Sequence, residues 1–188
     1  MVTEKNSQPN LTRRSFLLQT TQIVLGLGVV SAPTIGCAKA LDKRSLSFVH
    51  TRTQQELTLT YASGKSYDRR ALAEVNRFLR DYQTGQVHVI DPKLLDILWA
   101  VQMEMGRKGV YEVISGYRSP RTNKGMRRAD RSVASHSLHM KGQAIDIHFS
   151  GASIAQIHQC ALAMQTGGVG YYPQAGFVHL DSGAFRTW

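Results

Sequence analysis

The chain has little cysteine, few acidic residues and no long apolar segment. Two cysteines among 188 residues exclude a fold held together mainly by disulfides. One of them, Cys160, lies in a stretch with helical apolar spacing, which favours a buried core thiol over a nucleophile. The apolar run from Ile23 to Val30 is much shorter than the roughly 20 residues that a membrane-spanning helix needs. A disulfide scaffold and an integral membrane protein are therefore both disfavoured.

The shortage of acidic residues makes the chain strongly basic. With 13 acidic and 23 basic residues, its formal net charge is +10 at pH 7. Such a charge suits an anionic partner, which could be a cell-wall polymer, lipid headgroups or nucleic acid. The sequence contains no helix-turn-helix, aromatic platform or basic repeat, so we expect no binding of nucleic acid. It also contains no internal repeat or low-complexity linker, and its length suits one domain.

An export signal is predicted at the N-terminus. Arg13-Arg14 precede the apolar run, a pattern typical of twin-arginine (Tat) signal peptides. Ala38-Lys39-Ala40 offers small residues for cleavage, which predicts a removed signal over 1–40, a mature domain over 41–188 and a location in the periplasm. Ile35-Gly36-Cys37 also resembles a lipidation motif, in which case Cys37 would be the anchor and the source of membrane contact. We favour plain cleavage.

The hydrophobic pattern of residues 41–188 predicts an α+β domain. Alternating apolar residues over 45–61 indicate a β-hairpin, and the aspartate-proline pair at 91–92 is typical of a helix start. A basic stretch over 121–133 fits a helix or a loop. Helices are predicted over 67–83, from 91 to 106 and from 153 to 166, and strands over 110–115, 144–149, 168–172 and 177–181. Because the connections are too short for regular crossovers, we expect a small antiparallel sheet flanked by helices.

Two of the predicted strands carry histidine and aspartate on the same face. In one, period-2 alternation places Asp146 and His148 together, with isoleucines on the opposite face. In the other, it pairs His179 with Asp181. His139 precedes the first of these strands by a turn that contains glycine. Two histidines and one carboxylate that leave a fourth position for water are a catalytic zinc arrangement, which we favour over separate structural histidines.

The segments that contain these residues resemble a known family. Ser137-x-His139-x-x-Gly142-x-Ala144-x-Asp146 matches the SxHxxGxAxD signature of the M15 zinc peptidases, the D-Ala-D-Ala peptidase group. Ser115-Gly116-Tyr117-Arg118-Ser119 is similar to the S-G-[YW]-R-S segment that precedes this signature in the group. The closing stretch from Gly167 to Asp181 resembles the YcbK/MepK-type branch (DUF882), whose members are murein endopeptidases. The resemblance covers nearly the whole chain.

The resemblance implies a fold, a cofactor and site residues. The implied fold is the small α+β zinc fold of the Hedgehog and D-Ala-D-Ala peptidase type, with the zinc site on its sheet. Zinc is expected on His139, Asp146 and His179. Arg118 matches an arginine that contacts a substrate carboxylate or the developing oxyanion, and Ser137 is expected to contact substrate. Bound zinc would lower the pKa of its water to about 7 and polarise the scissile carbonyl, so the implied nucleophile is zinc-activated water.

The group that takes the proton from this water is not given by the resemblance. Many M15 enzymes have a glutamate, aspartate or histidine a few residues before the last histidine, whereas residues 174–178 here contain none. Asp181 and His148 each lie two positions from a ligand on the same strand face, so either could act as the base or could orient a ligand. His136, beside the signature, is a third candidate. The remaining histidines are expected at the surface: His50, His88 and His158.

These observations lead to one main functional hypothesis and two alternatives. The main hypothesis is a monomeric, zinc-dependent murein endopeptidase that hydrolyses the cross-links between peptidoglycan stem peptides. The first alternative is a D-alanyl or L,D-carboxypeptidase that trims stem peptides. The second is a non-catalytic, zinc-bearing module that binds peptidoglycan, although a purely structural zinc usually has four protein ligands. The sequence leaves open which cross-link is cut and which metal is physiological.

Overall fold

The computed structural model describes residues 43–188, so the predicted signal peptide, its cleavage site and Cys37 lie outside the described residues. Within 43–188, eight strands form one sheet, accompanied by four α-helices and a 3-10 helix at Leu138–Lys141. The strands are β1 (Lys43–His50), β2 (Glu56–Ser63), β3 (Ser66–Tyr67), β4 (Val110–Ser115), β5 (Ala144–Phe149), β6 (Gly168–Tyr172), β7 (Phe177–Asp181) and β8 (Arg186–Thr187). The α-helices are α1 (Arg69–Phe78), α2 (Pro92–Glu104), α3 (Pro120–Ala129) and α4 (Ile154–Met164).

The sheet is larger and more mixed than the sequence predicted. Its strand order is β3-β2-β1-β4-β5-β7-β6-β8. Most neighbours are antiparallel, but β1 is parallel to β4 and β8 is parallel to β6. The expected antiparallel pairing therefore holds for most of the sheet, but the sheet is not small, and the domain is of the mixed α/β type. The cause is the N-terminal hairpin, which joins the central sheet. The long connection through α1 and α2 allows its parallel pairing with β4.

Helix starts are confirmed where the sequence provides capping residues. The Asp91 carboxylate accepts a hydrogen bond from the Lys93 amide, and Pro92 is the first residue of α2. The basic stretch predicted as helix or loop is helix α3, which is capped by Ser119. α1 is shorter than predicted and ends at Phe78. No helix within residues 43–188 combines the length and the apolar character needed to cross a membrane.

One face of the sheet forms the core, and the opposite face carries the polar residues. Helices α2 and α4 contact each other, and both pack against β7. The apolar residues of β5 and β7 on the core side are almost fully buried: Ile145, Ile147, Val178 and Leu180. Because neighbouring residues of a strand point to opposite faces, Asp146 and His179 lie on the other side of the sheet.

His50 is buried, although the sequence placed it at the surface. It ends β1, and its ring packs edge-on against Phe78 and Tyr82. The reason is again the position of β1, which becomes an interior strand between β2 and β4. His88 is exposed as expected and stacks on Tyr117.

A buried carboxylate fastens the turn after α1 to the start of α3. Asp81 is 1 % exposed and accepts hydrogen bonds from the Ser119 amide (2.8 Å) and the Thr122 hydroxyl (2.5 Å), as well as from two amides of its own turn. Burial opposes ionisation, but these donors outweigh it and lower the pKa of Asp81 from 3.8 to about 2. The fold therefore stabilises the ionised carboxylate.

We expect Asp81→Asn to lower the free energy of unfolding at neutral pH by about 2 kcal/mol, because an amide cannot accept the same set of donors. Since the folded pKa is depressed, this contribution is present above pH 3.8 and is lost as the pH falls through about 2. Urea unfolding at neutral pH and near pH 2 should show a difference from the parent that shrinks in acid. Glu74→Gln, which removes an exposed carboxylate, is the control, and an equal effect of both variants would contradict the prediction.

Candidate metal centre

The strand register places two of the predicted ligands side by side on one face of the sheet. β5 pairs antiparallel with β7, and Asp146 lies directly opposite His179. The third residue, His139, is in the 3-10 helix, which leads through Gly142 into β5. All three side chains are buried on the face of the sheet that points away from the core. The structure therefore brings the three residues of the predicted ligand set together.

Each of the three side chains directs one atom towards a common point. His139 Nε2 lies 3.2 Å from Asp146 Oδ1 and 3.2 Å from His179 Nδ1, and these last two atoms are 2.8 Å apart. Ligand atoms about 2.0–2.2 Å from a tetrahedral zinc ion are separated by about 3.3–3.6 Å. The observed triangle is slightly smaller than this, and a slight outward shift of the side chains brings it to that size.

Hydrogen bonds on the far side of each ring fix its tautomer. His139 Nδ1 lies 2.7 Å from the Gly116 carbonyl oxygen, which can only accept, so Nδ1 carries the hydrogen and Nε2 has the lone pair. His179 Nε2 donates to Asp181 Oδ2 at 3.2 Å, so its Nδ1 has the lone pair. Two ring lone pairs and an oxygen of Asp146 therefore converge. Such a group of acceptors attracts a cation, and this donor set fits zinc.

The pKa shifts of these groups have the same origin. Burial lowers the pKa of His139. Burial opposes the ionisation of Asp146, but the two histidines outweigh it and hold the pKa of that carboxyl far below its usual range. For His179, burial acts to lower the pKa, yet hydrogen bonds to Asp146 and Asp181 raise it overall. The three groups thus favour a positive charge between them, whether a proton or a metal ion.

Two glycines of the sequence motifs permit this arrangement. Gly142 has φ +67°, and a Cβ there would lie 2.1 Å from the Val89 carbonyl oxygen. Glycine is therefore the residue that allows the chain to turn into β5 beside this loop. A Cβ on Gly116 would lie 2.7 Å from the Leu79 carbonyl oxygen. The close approach of these two backbone segments fixes the carbonyl group that holds His139.

Asp181, which the sequence nominated as a base, is already engaged in hydrogen bonds. Its Oδ2 accepts from His179 and from Arg186 (2.7 Å), and its Oδ1 accepts from the amides of Gly168 and Gly183. Burial opposes its ionisation, but His179, Arg186 and these amides outweigh it and hold the pKa of Asp181 well below its usual range. A carboxylate occupied in this way is suited to orienting His179 rather than to taking a proton from water.

Arg118 contacts one of the three predicted ligands, whereas His148 lies apart from them. Arg118 Nη2 donates to Asp146 Oδ2, and its Nε donates to the Ser115 hydroxyl at 2.9 Å. Arg118 thus supports a predicted ligand as well as facing the cleft. His148 pairs with Glu112 of β4, and it is two residues, or about 6.6 Å, farther along β5 than Asp146. It does not line the cleft formed by the described residues.

The three residues lie in a cleft of about 510 Å³. Two further residues named from the sequence, Ser137 and His136, line it. Sequence reasoning missed most of the remaining wall, which includes Met126, Asp130, Tyr172, Phe177, Arg186 and Trp188. No local pattern indicates which distant residues make these contacts. Trp188 lies 5.2 Å from the His179 ring between centroids because β8 pairs with β6.

Glycines of β6 make room for this wall. A Cβ on Gly170 would lie 2.7–2.9 Å from the Trp188 indole, and one on Gly168 would lie 2.2 Å from the carboxylate that orients the second histidine. The Arg186 guanidinium lies 4.9 Å from the indole ring centre, and the indole N–H donates to the Tyr172 hydroxyl at 2.6 Å. The glycine-rich segment 167–170 was the signal in the sequence that something large packs against this strand.

Fold and site together define a class of protein. It is a mixed α/β domain with a candidate mononuclear metal centre of the hydrolytic type in an open cleft. The chain belongs to peptidase family M15_2, because the family model described as peptidoglycan L,D-endopeptidase MepK matches residues 38–188. The resemblance to the M15 peptidases and their MepK-type branch is thereby confirmed.

Curated relatives agree with the family. The peptidoglycan L,D-endopeptidase MepK of Escherichia coli K12 is 37% identical over 175 residues, which are 93% of this chain and 96% of the relative. A probable peptidoglycan L,D-endopeptidase MepK of Haemophilus influenzae is 35% identical over 167 residues, 88% of this chain and 90% of the relative. No solved structure matches the chain.

We expect Asp181→Asn to weaken zinc binding about 10- to 100-fold, because the amide no longer fixes the tautomer and orientation of His179. Zinc affinity can be measured by competition with a chromophoric chelator, and circular dichroism can verify the fold. Glu74→Gln removes one carboxylate elsewhere and should leave the affinity unchanged. If Asp181→Asn binds zinc as tightly as the parent, the carboxylate has no role in orienting a ligand.

Proposed function

We propose that the chain is a zinc-dependent murein endopeptidase that hydrolyses peptide cross-links of peptidoglycan. The observation that carries the proposal is the convergence of one lone-pair atom from each of His139, Asp146 and His179 in the cleft of an M15_2 domain. The curated relatives are named as peptidoglycan L,D-endopeptidases, which supports peptidoglycan as the substrate and an amide bond as the target.

The chemistry follows from the residues in the cleft. A zinc ion held by His139, Asp146 and His179 would supply Lewis-acid chemistry, that is, activation of water and polarisation of the scissile carbonyl. Arg118 binds Asp146 through Nη2 and Ser115 through Nε, which leaves Nη1 for a substrate. That group can bind a substrate carboxylate or stabilise negative charge developing on the scissile carbonyl oxygen. Asp181 keeps a hydrogen on His179 Nε2 and so keeps its Nδ1 unprotonated.

We assign the proton transfer to His136. Of the three candidates named from the sequence, it is the one that lines the cleft without a structural partner of opposite charge among residues 43–188. It is exposed and precedes the 3-10 helix that carries His139. Asp181 is saturated with donors, and His148 lies outside the cleft. Histidine is the side chain that most often acts as general acid or base in enzymes.

Export of the domain is part of the proposal, since its substrate lies outside the cytoplasm. The twin arginines at 13–14 support passage by the Tat route into the periplasm, with cleavage after Ala40. The intact mass of the protein recovered from the periplasm should correspond to a chain that begins at Leu41. A recovered chain that begins at Cys37 and carries the additional mass of a lipid would instead show that the protein is anchored to the membrane.

The activity is tested by digesting purified, cross-linked sacculi with the zinc-loaded protein and identifying the muropeptides by mass. We expect dimers to become monomers, and His139→Ala or a chelator to abolish the conversion, because each removes the metal centre. Monomers that lose one alanine while dimers remain would identify a carboxypeptidase. If the folded protein with stoichiometric zinc leaves both dimers and monomers unchanged, the non-catalytic binding module becomes the favoured function.

The same assay separates the roles of His136 and His148, the two histidines considered for the proton transfer. His136→Ala should lower kcat about 100-fold or more with unchanged zinc content, because a general base contributes about 10²–10⁴-fold. His148→Ala is the matched control and should retain activity, since this residue lies outside the cleft. The opposite pattern would assign the proton transfer to His148.

A further inference from the structure

Most of the excess positive charge of the domain lies in one segment beside the cleft. Residues 41–188 contain 19 basic and 12 acidic residues, a net charge of +7. Residues 118–141 alone contain seven basic residues and one acidic residue, a net charge of +6. The remainder of the domain is therefore almost neutral. The seven basic residues are Arg118, Arg121, Lys124, Arg127, Arg128, Arg131 and Lys141.

Helix α3, which carries most of this charge, has basic residues in its first turn as well as in its last. Its first turn contains no acidic residue and includes Arg121, where positive charge opposes the helix dipole. Lys124 and Arg128 are four residues apart, a spacing at which like charges repel. Within residues 43–188, no carboxylate forms a salt bridge with a basic residue of α3. Arg127 and Arg128, in the last turn, suit the dipole, and Arg127 also donates to the Val133 carbonyl oxygen, so the uncompensated cost falls on Arg121 and on the repulsion between Lys124 and Arg128.

The exposed charges lie on the outer side of the helix. Arg121, Lys124 and Arg128 follow a three- and four-residue spacing, so they share one face, which we name the α3 basic face. Met126 and Asp130, on the opposite side of the helix, line the cleft. α3 is thus a wall of the cleft on one side and a row of exposed cations on the other.

The position of α3 is fixed by the rest of the fold. Its capping residue, Ser119, donates its amide to the buried Asp81 carboxylate, and Thr122 donates its hydroxyl to the same group. The α3 basic face therefore keeps a constant position relative to the three converging residues of the cleft. A partner held on this face would be held beside the site of reaction.

We propose that the α3 basic face is a docking surface for the peptidoglycan polymer itself, which it contacts through the carboxylates of neighbouring stem peptides. This inference rests on the proposed function and adds a second contact with the substrate, outside the cleft. A row of exposed cations along the outer side of a helix suits a repeated anionic polymer rather than a small ligand. The docking surface retains the enzyme on an insoluble substrate while the cleft acts on one cross-link.

Two triple variants of the full protein test the inference. The first replaces the α3 basic face by Arg121→Gln, Lys124→Gln and Arg128→Gln. The matched control replaces three exposed arginines of α1 by Arg69→Gln, Arg70→Gln and Arg77→Gln. Both lower the net charge equally, and glutamine keeps helix propensity. Binding is measured by co-sedimentation with sacculi in the presence of a chelator, and hydrolysis is measured separately on sacculi and on soluble muropeptide dimers.

We expect the α3 variant to bind sacculi about tenfold more weakly than the parent at low salt, and the difference to vanish near 1 M salt, where the screening length is about 3 Å. Its hydrolysis of sacculi should fall to a similar extent, whereas its rate on soluble dimers stays within about twofold of the parent. The α1 control should resemble the parent in all assays. The α3 variant should unfold at nearly the same urea concentration as the parent, because it removes the repulsion between Lys124 and Arg128 together with the favourable charge of Arg128 in the last turn.

Three outcomes would overturn the inference. Equal binding of sacculi by the α3 variant and the parent would remove the docking surface. Equal losses in the two triple variants would assign binding to total charge, and an equal loss on soluble dimers would mean that α3 shapes the cleft instead. Failure of the proposed function looks different, because the parent would then bind sacculi through α3 but cleave neither sacculi nor dimers.

Discussion

The pairing register of β5 against β7 is the constraint on which the site depends. Because Asp146 lies directly opposite His179, the two side chains share one face of the sheet, while their apolar neighbours fill the core on the other. A slip of one residue would turn the apolar side chains into the cleft and the polar ones into the core. The burial that stabilises the sheet therefore also holds two of the three converging residues in place, and Gly142 brings His139 to them.

The part of the site that could be predicted is the part that short segments encode. Period-2 alternation in β5 and β7 indicates which residues share a face, and one signature segment contains both His139 and Asp146. The same alternation also nominated His148, which the structure leaves outside the cleft. Alternation indicates the face on which a residue lies but not its distance from the site. Each residue lies about 3.3 Å farther along a strand than the one before it, so a residue on the correct face can still lie outside the cleft.

The remaining features depend on which distant segments become neighbours, and no local pattern specifies that. The size of the sheet follows from the parallel pairing of β1 with β4, which also buries His50. Trp188 reaches the cleft through the pairing of β8 with β6. Asp181 accepts hydrogen bonds from four residues in three parts of the chain, so its orienting contact could be proposed from the sequence but not distinguished from a catalytic one.

Strand β6 has glycine at positions 168 and 170, and the lack of a side chain there lets the Asp181 carboxylate and the Trp188 indole pack against it. Glycine adds no side-chain packing to a strand and loses more conformational entropy when it is ordered. β6 therefore packs side chains on the core at Val169 and Tyr171, while its other face is covered by groups from β7 and from the C-terminal strand β8. Any side chain at position 168 or 170 would displace either the carboxylate that orients His179 or the indole beside it, so the site, and not the core, restricts which residues β6 can carry there.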